Sequence, residues 1–186
     1  MSTEILVNVT TQETRVALVE SGLVQEVFVQ RESRYSVVGN LYKGTVCRVL
    51  PGMQAAFVDV GLERTAFLHA HDILPTGDVP IGEEPAIQEL VHEGQEVLVQ
   101  VVKDPLGTKG ARLTTQLSIP SRYLVLLPYS RHVGISARIE DDAERTRLKQ
   151  TLESVIAVEG ATTGFIVRTA GEGASEEALR ADVQFL

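Results

Sequence analysis

Residues 40–70 decide the fold of this chain, and they read NLYKGTVCRVLPGMQAAFVDVGLERTAFLHA. Short runs of alternating apolar and polar residues are separated by glycines, which is the pattern of strands in a small β-barrel. Phe57 and Phe67 lie on two of these runs, with basic residues nearby. Barrels of the OB class hold a single nucleic-acid strand by stacking its bases on aromatic rings and neutralising its phosphates. The segment therefore predicts a barrel that binds RNA or single-stranded DNA.

The alternation around Phe57 indicates which way its ring points. An aromatic residue on a strand is more often part of the core than of a binding surface. Here, however, Ala56, Val58 and Val60 make the more apolar face, and Phe57 shares the opposite face with Ala55 and Asp59. We therefore expect the Phe57 ring to lie outside the barrel core.

The remaining pattern predicts an α+β chain in three parts, with boundaries near residues 37 and 118. Residues 1–37 predict a meander of three strands, Ile5 to Val9, Thr14 to Val19 and Val24 to Val29. Residues 38–118 predict five barrel strands, Leu41 to Val49, Ala55 to Val60, Thr65 to His69, Glu96 to Val102 and Ala111 to Thr115. Gly44 predicts a bulge or tight coil in the first of them. The proline-rich, acidic segment 74–93 predicts an excursion that ends in a short helical piece, residues 86–92.

Residues 119–186 predict a small α/β domain. Its strands are expected at Tyr123 to Leu127, Gly134 to Ile139 and Gly164 to Thr169. A helix capped by Asp141 or Asp142 carries apolar residues at helical spacing, namely Leu148, Leu152, Val155 and Ile156. A final helix starts at Ser175 and meets no stop signal before Leu186, which indicates a piece of a longer protein.

Composition limits the functional classes. The chain has 186 residues and a formal net charge of -8, which argues against a nonspecific coat for nucleic acid. Acidic residues concentrate in 73–96 and basic ones in 97–122, so a local positive surface remains available. The N-terminus lacks the pattern of a signal peptide and no run is apolar enough to span a membrane, which predicts a cytoplasmic protein. Cys47 is the single cysteine, so one copy cannot form a disulfide or a cysteine-rich zinc site.

Three further groups of residues are candidates for chemistry. His69 and His71 would share a face if both lay on a strand, but no third metal ligand accompanies them, and solvent-facing imidazoles are the ordinary interpretation. Lys109 lies in the turn 107–110, where it could meet phosphate, although the spacing is not that of a Walker motif and a plain hairpin turn explains it equally well. Arg168 and Thr169 end a strand and could bind a terminal phosphate, while a surface ion pair is the simpler alternative. No pattern of catalytic residues is found.

Several motifs in order give the chain a family resemblance. The segments NLYKGTVCRVLPGMQAAFVDVG, KDPLGTKGARLTT, SRYLVLLP and GFIVRTAGEG resemble the N-terminal part of the bacterial ribonuclease E/G family of endoribonucleases, and are most similar to its ribonuclease G branch. The similarity extends over essentially the whole chain.

The resemblance implies an architecture and roles. Residues 1–37 would begin an RNase H-like subdomain, left partial and less stable than the barrel or swapped with another copy. Residues 38–118 would be an OB barrel of the ribosomal-protein S-one type inserted into it, and residues 119–186 a domain that senses the RNA 5′ end. Phe57, Phe67 and Lys109 match the residues that hold single-stranded RNA.

The resemblance also implies a 5′-monophosphate pocket. Arg168 and Thr169 match its phosphate-binding pair, Val125 matches an apolar wall, and Ser121 stands where some members have glycine. Pro120 precedes that serine, and Ala137, with Arg138 beside it, replaces a nearby arginine of the family.

Family members cleave RNA with Mg²⁺ bound by aspartates in a further domain and form homo-oligomers through a shared Zn²⁺. Neither segment occurs in this sequence, so the chain alone is expected to bind 5′-monophosphorylated single-stranded RNA without cutting it. The whole protein would be a cytoplasmic endoribonuclease of rRNA and mRNA processing and decay. Two alternatives stay open: a stand-alone RNA-binding adaptor, and an OB-fold scaffold for protein interactions.

Overall fold

The computed structural model of the chain describes residues 2–32, 36–75 and 85–186. The chain divides into two compact units, residues 1–37 and residues 38–186, and each is described by itself. None of the helices in the described ranges is both long and apolar enough to cross a membrane.

The first unit is an antiparallel meander of β1 (Thr3–Val9), β2 (Glu13–Glu20) and β3 (Leu23–Arg31). The predicted turn between β2 and β3 is present, because Ser21 and Gly22 both adopt positive φ, as a two-residue hairpin turn requires. Apolar side chains are exposed on the two outer strands, β1 and β3, and Ile5 and Phe28 have 67% and 58% of their surface accessible. The unit therefore has apolar faces that its own three strands leave open to solvent.

The second unit begins with a closed barrel of five strands, as predicted. Its strands are β4 (Leu41–Leu50), β5 (Ala55–Asp59), β6 (Ala66–His69), β7 (Glu96–Lys103) and β8 (Arg112–Thr114), and they close in the order β4-β5-β6-β8-β7. Among the pairings of these five barrel strands, only that between β6 and β8 is parallel. The barrel interior is filled by branched side chains, namely Val46, Val58, Leu68, Val99, Val101 and Leu113.

Of the two alternatives predicted at Gly44, a bulge or a tight coil, the bulge is not present. It pairs regularly with Val97, and the register shift in β4 lies three residues later, at Cys47. A Cβ at Gly44 would lie 2.7 Å from Val58 Cγ1, so glycine is required for β4 to pack closely on β5. One residue later, Thr45 pairs with both β5 and β7, which is where the strand changes partner.

A buried glutamine joins the two ends of the barrel. Gln100 is 6% exposed, and its Nε2 donates hydrogen bonds to the carbonyls of Gly39 (3.0 Å) and Ser118 (2.8 Å). Its Oε1 accepts a hydrogen bond from the Ser118 amide at 2.9 Å. The chain therefore enters and leaves the barrel at points that one side chain connects.

The predicted excursion between β6 and β7 includes residues 76–84, which lie outside the described residues. The predicted helical piece is a single turn, α1 (Ile87–Leu90). Its Ile87 is fully buried, and the Ile87 amide donates to Gln54 Oε1 at 3.0 Å. This turn is therefore packed on the barrel.

The last part of the chain is a four-stranded sheet covered by two helices. The elements are β9 (Ile119–Pro120), β10 (Leu124–Leu127), β11 (Val133–Ile135), α2 (Asp142–Glu159), β12 (Gly164–Val167) and α3 (Glu176–Phe185), and the sheet order is β11-β12-β10-β9. Asp141 caps α2 by accepting a hydrogen bond from the Ala143 amide, and Ser175 caps α3 in the same way. Helices and sheet meet in one core, formed by Leu124, Leu126, Ile139, Leu148, Leu152, Val155, Phe165, Val167, Leu179 and Val183.

Two predicted strands of this part are shorter than expected. β11 ends at Ile135, because Ser136 begins a turn in which the Ile139 amide donates to the Ser136 carbonyl at 3.2 Å. β12 ends at Val167, and Thr169 begins a 3₁₀ turn, Thr169–Gly171. Both turns lie beside the residues considered for phosphate binding.

Candidate nucleic-acid interface

Phe57 on β5 and Phe67 on β6 lie directly opposite each other on neighbouring strands. Their ring centroids are 6.1 Å apart and the rings meet edge to face, with an interplanar angle of 69°. Ala56 and Val58 are completely buried, while both phenylalanines are half-buried, so the rings lie on the outer side of the barrel wall. The expectation that Ala56, Val58 and Val60 face the core agrees with their burial, although Ala55, on the same side as Phe57, is buried as well.

The aromatic surface continues beyond the two phenylalanines. The ring centroids of Phe67 and His69 are 6.3 Å apart, and those of His69 and His71 are 5.1 Å apart. The two imidazoles are stacked with an interplanar angle of 18°. β6 ends at His69, so His71 lies in the 3₁₀ turn Ala70–Asp72 and not on the strand considered in the sequence. In the described ranges no three His, Cys, Asp or Glu side chains are grouped to hold a metal ion. Phe67 and His69 are two residues apart on β6, which places them on one face of the strand, but the stacking of His71 had no such signal because His71 lies beyond the end of β6.

An arginine lies on the strand next to this row. Arg112 on β8 is the register partner of Phe67, and its Nε and Nη2 both lie 2.9 Å from Asp72 Oδ2. The ion pair is partly exposed, since the two side chains keep 43% and 22% of their surface accessible. It joins β8 to the turn that follows β6, at the edge of the aromatic row.

Lys109 is exposed near the end of a tight loop that precedes β8. The amides and carbonyls of Leu106 and Lys109 exchange hydrogen bonds of 3.1 and 3.0 Å, so the predicted hairpin turn is present. A Cβ at Gly110 would lie 2.0 Å from the Thr65 carbonyl oxygen, so the absence of a side chain lets the loop approach the start of β6. The Ala111 carbonyl then accepts a hydrogen bond from the Phe67 amide at 2.7 Å. The loop that carries Lys109 is thus fixed beside the strand of Phe67.

A second group of candidate residues meets at the β9–β10 turn. The Arg168 amide donates to the Tyr123 carbonyl at 2.8 Å, and Arg168 Nη1 donates to the Ser121 carbonyl. Thr169 Oγ1 lies 3.1 Å from Ser136 Oγ, in the turn after β11. Three segments that are distant in the sequence therefore meet at one end of the sheet, and they contribute Ser121, Ser136 and the pair Arg168 and Thr169.

Val125 lies on the sheet face that the helices leave open. Leu124 and Leu126 on either side of it are buried in the helix-covered core, so Val125 points the other way and is half-buried. Its register partner on β12 is Ile166, two residues before Arg168. Val125 thus supplies apolar surface on the same face as Ile166.

An aspartate that sequence reasoning missed organises this turn. Asp182 Oδ2 on α3 accepts hydrogen bonds from the amides of Tyr123 (2.7 Å) and Leu124 (3.0 Å) and from Ser121 Oγ. The Ser121 hydroxyl is consequently directed toward α3, and its carbonyl is the group that contacts Arg168. Because these partners lie about sixty positions from Asp182, no local pattern indicated them.

The turn after Thr169 is held by an ion pair on α2. Glu144 accepts hydrogen bonds from Arg147 Nε (2.6 Å) and Nη2 (2.7 Å) and from the Gly173 amide (2.8 Å), and Arg147 Nη2 also lies 3.1 Å from the Ala174 carbonyl. The hydrogen bonds from Arg147 and then from the Gly173 amide lower the pKa of Glu144 to about 2. This clamp, Glu144 with Arg147, holds the chain that follows the phosphate candidates.

Comparisons with known proteins match both halves of the second unit. Residues 37–115 match the model of the S1 RNA binding domain, and residues 118–186 match that of the ribonuclease E/G family.

Ribonucleases G and E of other bacteria are similar to this chain over nearly all of its length. Ribonuclease G of Escherichia coli strain K12 is 55% identical over 192 aligned residues, covering 100% of this chain and 39% of that protein. Ribonuclease G of Haemophilus influenzae is 57% identical, covering 98% of this chain and 38% of that protein. Ribonuclease E of Escherichia coli strain K12 is 44% identical, covering 97% of this chain and 17% of that protein. The chain spans about two fifths of the length of its ribonuclease G relatives. Its barrel is an S1 RNA-binding domain, and the chain belongs to the ribonuclease E/G family.

Proposed function

We propose that this chain is the RNA-holding and 5′-end-sensing portion of a single-strand-specific endoribonuclease that acts in rRNA and mRNA processing and decay. The observation that carries the proposal is the pair of half-exposed rings, Phe57 and Phe67, on the wall of an S1 barrel. In this proposal residues 38–118 are the RNA-binding domain and residues 119–186 sense the 5′ end.

The barrel surface suits a single strand better than a duplex. Phe57 and Phe67 offer their rings to unpaired bases, and each base stacked on a ring contributes roughly 1 to 3 kcal/mol. Lys109 supplies a positive charge near the same strand, where it would neutralise a backbone phosphate. Because the chain carries a net charge of -8, stacking rather than general electrostatic attraction is the main contribution expected.

Arg168 and Thr169 suit a terminal phosphate. An arginine has five N–H donors in a planar fork, and the Ser121 carbonyl engages Nη1 of Arg168. The Thr169 hydroxyl adds a donor close by, and Val125 provides an apolar wall on the neighbouring strand. Ser121 contributes through its carbonyl, which orients the guanidinium, since its hydroxyl is bonded to Asp182 and to the Leu124 carbonyl.

The first unit fits a partial subdomain. Its exposed apolar strands support the proposal that residues 1–37 begin an RNase H-like subdomain whose other strands come from elsewhere in the whole protein. As the family resemblance implies, the proposal assigns the Mg²⁺-binding aspartates and the Zn²⁺ link between subunits to segments other than those in this sequence. The proposal also includes homo-oligomers of the whole protein and a cytoplasmic location.

A binding assay with variants of the two phenylalanines tests the proposal. A fluorescent single-stranded RNA with a 5′-monophosphate is titrated with the chain and with the Phe57→Ala and Phe67→Ala variants. Each variant should bind about 5- to 100-fold more weakly, which corresponds to the loss of one stacked base. Unchanged affinity in both variants would leave the barrel without a role in RNA binding. With Mg²⁺ added, the chain alone should bind this RNA without cutting it, and efficient cleavage would overturn the proposed division of labour.

A further inference from the structure

We infer that Asp182 on α3 is a positioning residue for recognition of the RNA 5′ end, and that it acts on Arg168 through the backbone of Ser121. This inference rests on the function proposed above, in which Arg168 meets the terminal phosphate, and it adds a residue that does not itself touch the RNA. A carboxylate and a phosphate carry charges of the same sign, so a direct contact between them would be repulsive. A favourable contribution of Asp182 therefore comes from the groups that it holds in place.

Three donors from the β9–β10 turn converge on a single oxygen of Asp182. Its Oδ2 accepts hydrogen bonds from the amides of Tyr123 (2.7 Å) and Leu124 (3.0 Å) and from the Ser121 hydroxyl. Hydrogen bonds to a charged carboxylate are roughly twice as strong as bonds between neutral groups. The turn is thus held at three of its residues by one side chain, and these bonds fix the orientation of the Ser121 backbone.

Asp182 is held on a helix that is packed in the core of its domain. Leu179 and Val183 lie three residues before and one residue after it, on the same side of α3, and both are buried between helices and sheet. Asp182 itself is half-buried at the margin of this packed face. A polar group fixed on a packed helix is already in place before a ligand arrives, so the turn that it holds needs no further ordering when RNA binds.

The turn in turn holds Arg168. The Arg168 amide donates to the Tyr123 carbonyl at 2.8 Å, and Arg168 Nη1 donates to the Ser121 carbonyl. Within the described ranges the guanidinium has no other hydrogen bond, so its Nε and Nη2 donors are available to phosphate oxygens. Without Asp182, the Ser121 carbonyl would no longer be fixed beside Nη1. The Arg168 side chain would then have to give up its rotamer freedom when the phosphate binds, which weakens binding.

Variants of Asp182 in the intact chain test this role. The readout is the ratio of affinities for two single-stranded RNAs that differ only in a 5′-monophosphate or a 5′-hydroxyl, measured by fluorescence anisotropy. Asp182→Ala should lower the ratio about 2- to 12-fold, the effect of ordering one long side chain on binding, with RNA bearing a 5′-hydroxyl nearly unaffected.

Two conservative variants separate position from charge. Asp182→Asn should keep the native ratio, because all three bonds end on one oxygen and an amide oxygen in that place can accept all of them. Asp182→Glu keeps the charge but moves the carboxylate outward by one methylene group, so it should lower the ratio as Asp182→Ala does. Val183→Ala is the matched control, since it removes buried volume from the same helix and leaves the bonds of Asp182 in place. It should lower the thermal unfolding midpoint without changing the ratio.

Each outcome has one meaning, at a temperature where thermal unfolding shows the variants to be folded. An unchanged ratio in Asp182→Ala and Asp182→Glu, with a lowered ratio in Arg168→Ala, overturns the positioning role and leaves the proposed 5′-end sensing standing. An unchanged ratio in Arg168→Ala overturns the sensing itself. A native ratio in Asp182→Glu with a loss in Asp182→Asn overturns the positioning role, because charge would then be the contribution. An equal fall in Val183→Ala also overturns it, because the stability of α3 would then set the preference.

Discussion

Replacing Arg168 with alanine should abolish the preference for a 5′-monophosphate. A charge-assisted hydrogen bond contributes about 1.5 to 3 kcal/mol, so the net loss of one of them should weaken binding of 5′-monophosphorylated RNA about 10- to 150-fold. Arg168 is exposed, so solvent and salt screening keep the loss within that range. RNA with a 5′-hydroxyl should bind within about twofold of its affinity for the native chain, because it has no phosphate for the guanidinium to meet.

The assay compares two RNAs that differ only at the 5′ end, at low and physiological salt. Arg168→Lys keeps the charge and loses the planar fork, so it should recover only part of the preference. Arg122 is the matched control, since it lies in the same β9–β10 turn but has its guanidinium 4.8 Å from the Tyr123 ring centre. Arg122→Ala should leave the ratio of the two affinities unchanged. Equal losses on both RNAs in Arg168→Ala would refute the reasoning, because the arginine would then bind backbone phosphate.

Two other predictions concern the scaffold around these sites. Gln100→Leu should lower the free energy of unfolding in urea by about 2 to 4 kcal/mol, because it removes four hydrogen bonds and leaves polar groups of Gly39 and Ser118 unpaired. A change below about 0.5 kcal/mol would contradict the importance of these bonds. The Glu144 pKa is depressed, so its bond to the Gly173 amide should be complete above the ordinary glutamate value of 4.5 and should be lost as the pH falls toward 2, seen as a titration of the Gly173 amide proton by NMR. Glu144→Gln should remove that titration, and its persistence would assign it to another group.

The barrel was the most predictable part of the fold. Its strands alternate strongly, so each was expected within a few residues of its observed bounds, and the helix over Asp142–Glu159 followed from its periodicity and its Asp141 cap. The half-exposed position of Phe57 also followed from the residues around it. These features depend on neighbours close in the sequence, where side-chain period and capping chemistry decide the outcome.

Long-range contacts could not be predicted in the same way. The three bonds accepted by Asp182 and the contact between Arg168 and Ser121 join residues 47 to 61 positions apart, so they depend on how the sheet folds back. The stacking of His71 on His69 depends on the strand ending at His69, and strand ends are poorly marked in sequence. Glycine at position 44 suggested a bulge or a tight coil, but not the partner strand to which it allows a close approach.

The hydrogen bonds from Gln100 to Gly39 and Ser118 make it easier to insert such a barrel into another fold. A flexible loop of roughly 80 residues costs about 4 kcal/mol to close, from the (3/2)RT ln n dependence of loop entropy on length. Here the barrel brings its own ends together when it folds, and Gln100 fastens them at Gly39 and Ser118. For a surrounding fold, inserting the folded barrel would then cost little more loop-closure entropy than inserting a short loop, although the barrel has roughly 80 residues. One buried amide side chain thus helps to make the barrel a self-contained insertion that another fold can accept.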